Sequence, residues 1–145
     1  MIKLSDAVLQ KAAGEGMDEF IQVFTDKYKE AIGGELTAGT MALLTGEQHS
    51  LLAYQIFRDE IMVGGFCQLI QNGYGGYIFD NPFAKVMRLW GAEEFSKLVY
   101  RAKKIYDAIV KILKKSVPKM NSWQCMNSMK LLMSWKKSIL KWRNR

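Results

Sequence analysis

Few side chains in this chain of 145 residues could carry a reaction. Asp59 and Glu60 are adjacent acids. Neighbours on a helix point in different directions, so this pair cannot share acid–base work on one face. His49 is the only histidine, which makes a His-based metal centre or a His-dependent triad hard to build. It reads as a solvated residue in a first helical turn. Cys67 follows Phe66 and reads as a small buried residue, because a reactive thiolate needs a nearby cation or base that the pattern does not supply. Cys67 and Cys125 are the only cysteines. They read as free thiols in a reducing, cytoplasmic setting, without a structural disulfide. Glu60 followed by Gly64-Gly65 is not a phosphate loop, which requires GK[ST] and a preceding strand. No nucleophile–base pair and no metal set emerges. The expectation is a protein that is not an enzyme and uses no cofactor or metal. An enzyme working through Glu60, Gln68 or Asp80 is the weakest reading.

Binding chemistry is better represented. Between Gly64 and Pro82, five glycines alternate with Phe66, Tyr74, Tyr77 and Phe79. Either the glycines at 64 and 65 let another helix or a partner approach closely, or they break a helix for packing. Gln68, Asn72, Asp80 and Asn81 either line a polar pocket with Tyr74 and Tyr77, or satisfy loop backbone and helix caps. The candidate binding set is Glu60, Gly64, Gly65, Phe66, Gln68, Asn72, Tyr74, Tyr77, Asp80 and Asn81.

The elements that position this set are helical. A short helix begins near Leu4, with Ser5 or Asp6 as cap, and breaks at 14–16. In "MDEFIQVFTDKYKEAIGG", Phe20, Val23, Phe24, Tyr28, Ala31 and Ile32 recur at helical spacing. Asp18 and Glu19 suit its N-terminus, and Gly33-Gly34 stops it. A connector with one turn of helix leads to Thr45, which with Gln48 forms a capping box for the next helix. A short helix over 66–72 then gives way to an ordered aromatic loop ending at Pro82. Asn81 as N-cap and Pro82 at the first position open a helix that stops at Gly91. Glu93-Glu94 complement the N-terminus of a last amphipathic helix through Phe95, Leu98, Val99, Ala102, Ile105 and Tyr106. No alternating strand pattern appears. The fold class is all-α, a compact irregular bundle of about six helices. Its expected core is Phe20, Val23, Phe24, Leu51, Leu52, Ile56, Phe66, Leu69, Met87, Leu89, Trp90, Phe95, Leu98 and Val99. The start of the chain is not a signal peptide, and no segment should span a bilayer.

Charge divides the chain. The net charge is +7, yet residues 1–108 carry 11 basic and 14 acidic side chains, a balance of −3. Residues 109–145 carry ten basic and no acidic ones.

The ordered pieces Glu60, Gly64-Gly65-Phe66, Gln68 and Trp90-Gly91-Ala92 resemble the bacterial DNA-mimic-protein family. The resemblance spans about residues 1–108, with Val63 standing where Asn often precedes the glycines. It implies an all-helical intracellular domain without known catalytic activity. For the branch that names the family, it implies an acidic surface that imitates DNA and occupies a DNA-binding protein. The family's C-terminal part is acidic, and residues 109–145 are the opposite.

A reading-frame shift near 109 accounts for that contrast. Met and Trp codons end in G, while Asn and Lys codons begin AA. Met120-Asn121, Met126-Asn127, Met129-Lys130 and Trp135-Lys136 therefore each hide a glutamate codon one frame away. Met plus Trp number 6 in residues 1–108 and 7 in the much shorter remainder, a compositional break at the same place. The rival reading is a genuine basic amphipathic helix, with Met126, Met129, Leu132, Met133, Ile139 and Leu140 opposite Lys130, Lys136, Lys137 and Lys141. Such helices bind nucleic acid, anionic membrane surfaces or partner grooves. A shifted tail could also be helical by chance and pack on the body.

The resulting expectation is a helical domain over 1–108 followed by a basic tail over 109–145. The function expected is that of a bacterial protein-interaction module whose partner is another protein. Self-association is a further expectation, and nucleic acid enters only if the basic tail is genuine.

Overall fold

The computed structural model describes residues 2–115, with side chains through 111. The expectations placed on residues 116–145, Cys125 and the basic tail helix among them, lie outside the described residues. The fold is all-α. Six α-helices follow in order: α1 (Asp6–Glu15), α2 (Met17–Ala31), α3 (Gly46–Gln71), α4 (Gly75–Phe79), α5 (Phe83–Leu89) and α6 (Glu93–Lys115), with one 3-10 turn at Met41–Leu43. The described residues contain no strand, and none of their helices is long and apolar enough to cross a membrane. The chain divides into two compact units, residues 1–56 and residues 57 onward.

In the first unit α1 packs on α2. The apolar spacing of α2 buries Tyr28 and, just past its end, Ile32, while Ala12 is the buried residue of α1. Phe20, Val23, Phe24 and Leu51, expected in the core, are only half-buried. Phe20 and Phe24 sit one turn apart and meet edge to face at 5.3 Å, a pairing that shields each ring where burial is incomplete. The capping box forms as its spacing requires. The Thr45 N–H donates to Gln48 Oε1 at 2.9 Å, and the Gln48 N–H donates to Thr45 Oγ1 at 3.3 Å. His49 is not simply solvated: its Nε2 bonds the Met41 carbonyl at 2.7 Å and ties α3 to the 3-10 turn.

The second unit is built on aromatic rings. Phe57, Phe83 and Phe95 form a triangle with centroids 5.6–6.3 Å apart, and all three are buried. Each such ring contributes about 1.5–3 kcal/mol on leaving water. α5 and α6 are also joined by a hydrogen bond inside the core, from Ser96 Oγ to the Ala84 carbonyl at 2.6 Å. Leu89 and Trp90 are exposed at 70% and 49%, against the expectation that both are core. Phe83, Ala84 and Met87 define the buried face of α5 at helical spacing; Leu89 falls off that face, and Trp90 is the C-cap where the helix ends.

Three helices stop in the same way. The Gly91 N–H bonds Arg88 O and the Ala92 N–H bonds Met87 O. The pairs Gly33–Glu30 with Gly34–Lys29, and Gly73–Ile70 with Tyr74–Leu69, repeat that arrangement. Each is a Schellman closure with glycine at the left-handed position.

Candidate functional site

The site begins with a break in α3. Gly65 has φ 71° and ψ −165°, a conformation closed to side-chain-bearing residues, and the helical hydrogen-bond run resumes beyond it. A straight helix rises ~1.5 Å per residue, so positions twelve apart lie ~18 Å from one another. Yet Asn72 Nδ2 donates to Glu60 Oε2 at 2.8 Å. Only a sharp bend at Gly65 reconciles these numbers. The bond is therefore a strut that closes the angle between the two arms of α3. The expected short helix over 66–72 is this second arm, which follows the break and runs to Gln71.

Gln68 folds back over Gly64, so closely that a Cβ at position 64 would stand 2.6 Å from Gln68 Cβ. Just before it, Val63 is 79% exposed. On the inner side, Phe66 is fully buried and meets Phe79 at 5.7 Å, which in turn stacks on Tyr106 at 5.1 Å and 29°. The apolar anchor at 66 holds the bend, while Glu60, Gly64, Gly65, Gln68 and Asn72 make its outer polar rim.

Tyr74 closes the second arm through its N–H bond to Leu69 O at 3.1 Å. The segment that follows is not the expected aromatic loop. Gly75–Phe79 forms α4, with Gly75, Ile78 and Phe79 buried. Gly75 is required by a close approach: an added Cβ would stand 2.9 Å from Tyr106 Cζ. Tyr77 is half-buried, and burial pushes its phenol well above the ordinary value. The Tyr106 phenol is also raised, first by burial and then by the nearby charges of Asp80 and Asp107.

At the end of α4 a charged group assembles. Lys103 lies 3.6 Å from Asp80 and 3.2 Å from Asp107. Asn81 does not cap α5, whose N-cap is Pro82. Its amide donates instead to the Tyr77 carbonyl at 2.9 Å. The hydrogen bonds and ion pairs thus tie the expected residues into two sets, Glu60–Asn72 at the bend and Tyr77–Asn81 with Asp80–Lys103 beyond α4. A shallow cavity of about 210 Å³ lies between α4, α5 and α6, lined mainly by Ile78, Phe79, Pro82, Val99 and Tyr100 with Lys103 at its edge. Of the expected set, only Asn81 reaches it among polar members.

Sequence reasoning missed Lys103, Tyr100 and Tyr106. The i,i+4 spacing of Lys103 and Asp107 was the one local signal for this group. Cys67 is half-buried beside Phe66 at the start of the second arm of α3. No group of three His, Cys, Asp or Glu able to hold a metal ion occurs among the described residues.

A family model described as DMP19-like protein matches residues 42–129. The match starts later than the expected 1–108 and runs past it into the basic segment. The DNA mimic protein DMP19 of Neisseria meningitidis serogroup B is 32% identical over 97 residues, covering 58% of this chain and 59% of that relative. The chain thus spans about three fifths of the length of the curated relative it matches. No solved structure matches.

Proposed function

Because this chain belongs to the DMP19-like protein family, we propose that it is a non-catalytic protein-interaction module whose partner is a DNA-binding protein. The observation that carries the reading is the bend of α3. It presents exposed Val63 on a corner held by the Glu60–Asn72 bond outside and by Phe66 inside. An apolar centre with a polar rim is the layout of a protein contact. Glu60, Gly64, Gly65, Gln68 and Asn72 form this contact surface. Phe66, Tyr74, Tyr77, Asp80 and Asn81 support it from within and behind.

Charge favours the same kind of partner. Residues 1–56 carry four basic and eight acidic side chains. Glu19, Asp26 and Glu30 are exposed on α2. A protein that binds DNA presents a cationic face, to which such a surface is complementary. The relative's printed name, a DNA mimic, is consistent with this chemistry. Residues 1–108 supply the module and residues 109–145 a basic extension.

Affinity capture tests the proposal. The immobilised chain is loaded with proteins from its bacterial host and eluted with duplex DNA. The expected result is release of DNA-binding proteins by duplex, and their loss from a Val63→Glu variant. Eluates no richer in DNA-binding proteins than those from a blank column would refute it.

A further inference from the structure

The second arm of α3 ends in Asn72-Gly73, a pair with chemistry of its own. An asparagine followed by glycine can cyclise, because no side chain on the following residue screens its backbone nitrogen. Here an added Cβ on Gly73 would meet nothing within 4 Å. Asn72 itself is exposed, so water has access. Two hydrogen bonds hold the reacting atoms apart. The Gly73 N–H is engaged with Ile70 O at 3.0 Å, and the Asn72 amide nitrogen is engaged with Glu60 Oε2 at 2.8 Å.

We propose that Asn72-Gly73 is a self-modification site, a deamidation point that the Glu60–Asn72 strut holds in check. The reaction balances without a cofactor. The Gly73 nitrogen gives up its proton and bonds to Asn72 Cγ, the Cγ–Nδ2 bond breaks, and ammonia leaves with that proton. Water then adds across one of the two imide C–N bonds. The product is aspartate, or isoaspartate when the other bond opens. Amide plus water has become carboxylate plus ammonium. Both hydrogen bonds must open first, so the rate is set by local unfolding of the last turn.

The product cannot restore the strut. A carboxylate at position 72 has no N–H to donate, and at neutral pH it faces the like charge of Glu60. The second arm loses its tie across the bend, and the surface gains a negative charge. Conversion therefore both loosens the corner and makes it more acidic.

The test is peptide mapping of the full chain held in warm, mildly alkaline buffer, with aspartate and isoaspartate at position 72 quantified over time. Asn81 is an internal control, since the Pro82 nitrogen carries no proton to lose. Expected is slow conversion in the folded wild type and fastest conversion in urea. Glu60→Ala should convert several-fold faster than wild type, and Glu60→Gln, which keeps an acceptor oxygen, should stay near it. If Glu60→Ala does not fold, Glu60→Asp, whose shorter side chain withdraws the acceptor, takes its place. No conversion at 72 in the unfolded chain, or equal rates in wild type and the folded variant lacking the acceptor, overturns the proposal. A second readout is hydrogen exchange over 66–72 in Asn72→Asp: protection should drop, and unchanged protection would contradict the loss of the strut.

Discussion

Tyr77 is the residue whose environment makes the clearest demand on pH. Burial raises its phenol above the ordinary value near 10, because a phenolate is poorly solvated there. The unfolded chain releases this proton near pH 10 while the folded chain retains it. Stability is therefore whole below about pH 10 and falls as pH rises through the folded value. Tyr77→Phe should flatten that alkaline decline in thermal midpoint, leaving a smaller slope from Tyr28 and Tyr106, which burial also raises. A decline of equal steepness in both proteins would mean that Tyr77 ionises freely. A second residue-scale demand is made by Ser96. Its hydroxyl is buried and donates to the Ala84 carbonyl. Ser96→Ala removes the hydrogen bond that joins α5 to α6 and should cost about 1–2 kcal/mol in urea unfolding. A change within error would show that packing alone joins the two helices.

At the scale of elements, the glycines at the bend and at the start of α4 should both resist a side chain, each for its own reason. Gly75→Ala drives a methyl into the Tyr106 ring, which is stacked on Phe79 and has little room to retreat. A loss of about 1–3 kcal/mol is expected from such overpacking. Gly64→Ala meets Gln68 at its Cβ as well as its amide, so the second arm of α3 must shift even when the amide swings into solvent, and this outweighs the ~1 kcal/mol of helix propensity that alanine gains over glycine. Denaturant midpoints should show both falling below wild type, and a Gly64→Ala midpoint equal to wild type would mean that the second arm of α3 gives way freely. The same elements show what could be read from sequence alone. α2, α6, the Thr45–Gln48 box and the glycine stops at 33 and 91 depend on neighbours three to five residues away, and their chemistry is printed in order along the chain. α4 was not legible. "GGYIF" has two glycines and turn composition, and it becomes helical because Ile78 and Phe79 are buried in tertiary contacts that override propensity. The bend was half legible: Gly64-Gly65 announced a break, but not that Asn72 would return to Glu60. Lys103 beside Asp80 and Tyr106 against Gly75 join residues far apart in the chain, and no local period encodes them. Leu89 misled because residue type was read without helix phase, and Trp90 because α5 ends at that position.

Over the whole molecule the question is which charges belong to the working protein. The ten basic residues of 109–145 would hold duplex DNA through phosphate contacts. Such binding should weaken by roughly 10³-fold or more between about 50 and 200 mM salt. Fluorescence anisotropy with a labelled duplex checks this, and binding indifferent to salt would dismiss the tail as a nucleic-acid arm. Sequencing the DNA that encodes 109–145 bears on the same point. An alternative frame that is open and acidic would make the tail a translation accident, whereas stops in that frame would make it genuine. The body is read differently, by comparison with its relatives. Gly75 and Tyr106 occupy a single volume between them. Across the family the two positions should therefore drift as a couple: a lineage that acquires a side chain at the first must have surrendered its large ring at the second, and a homologue keeping bulk at both must have moved α4 away from α6.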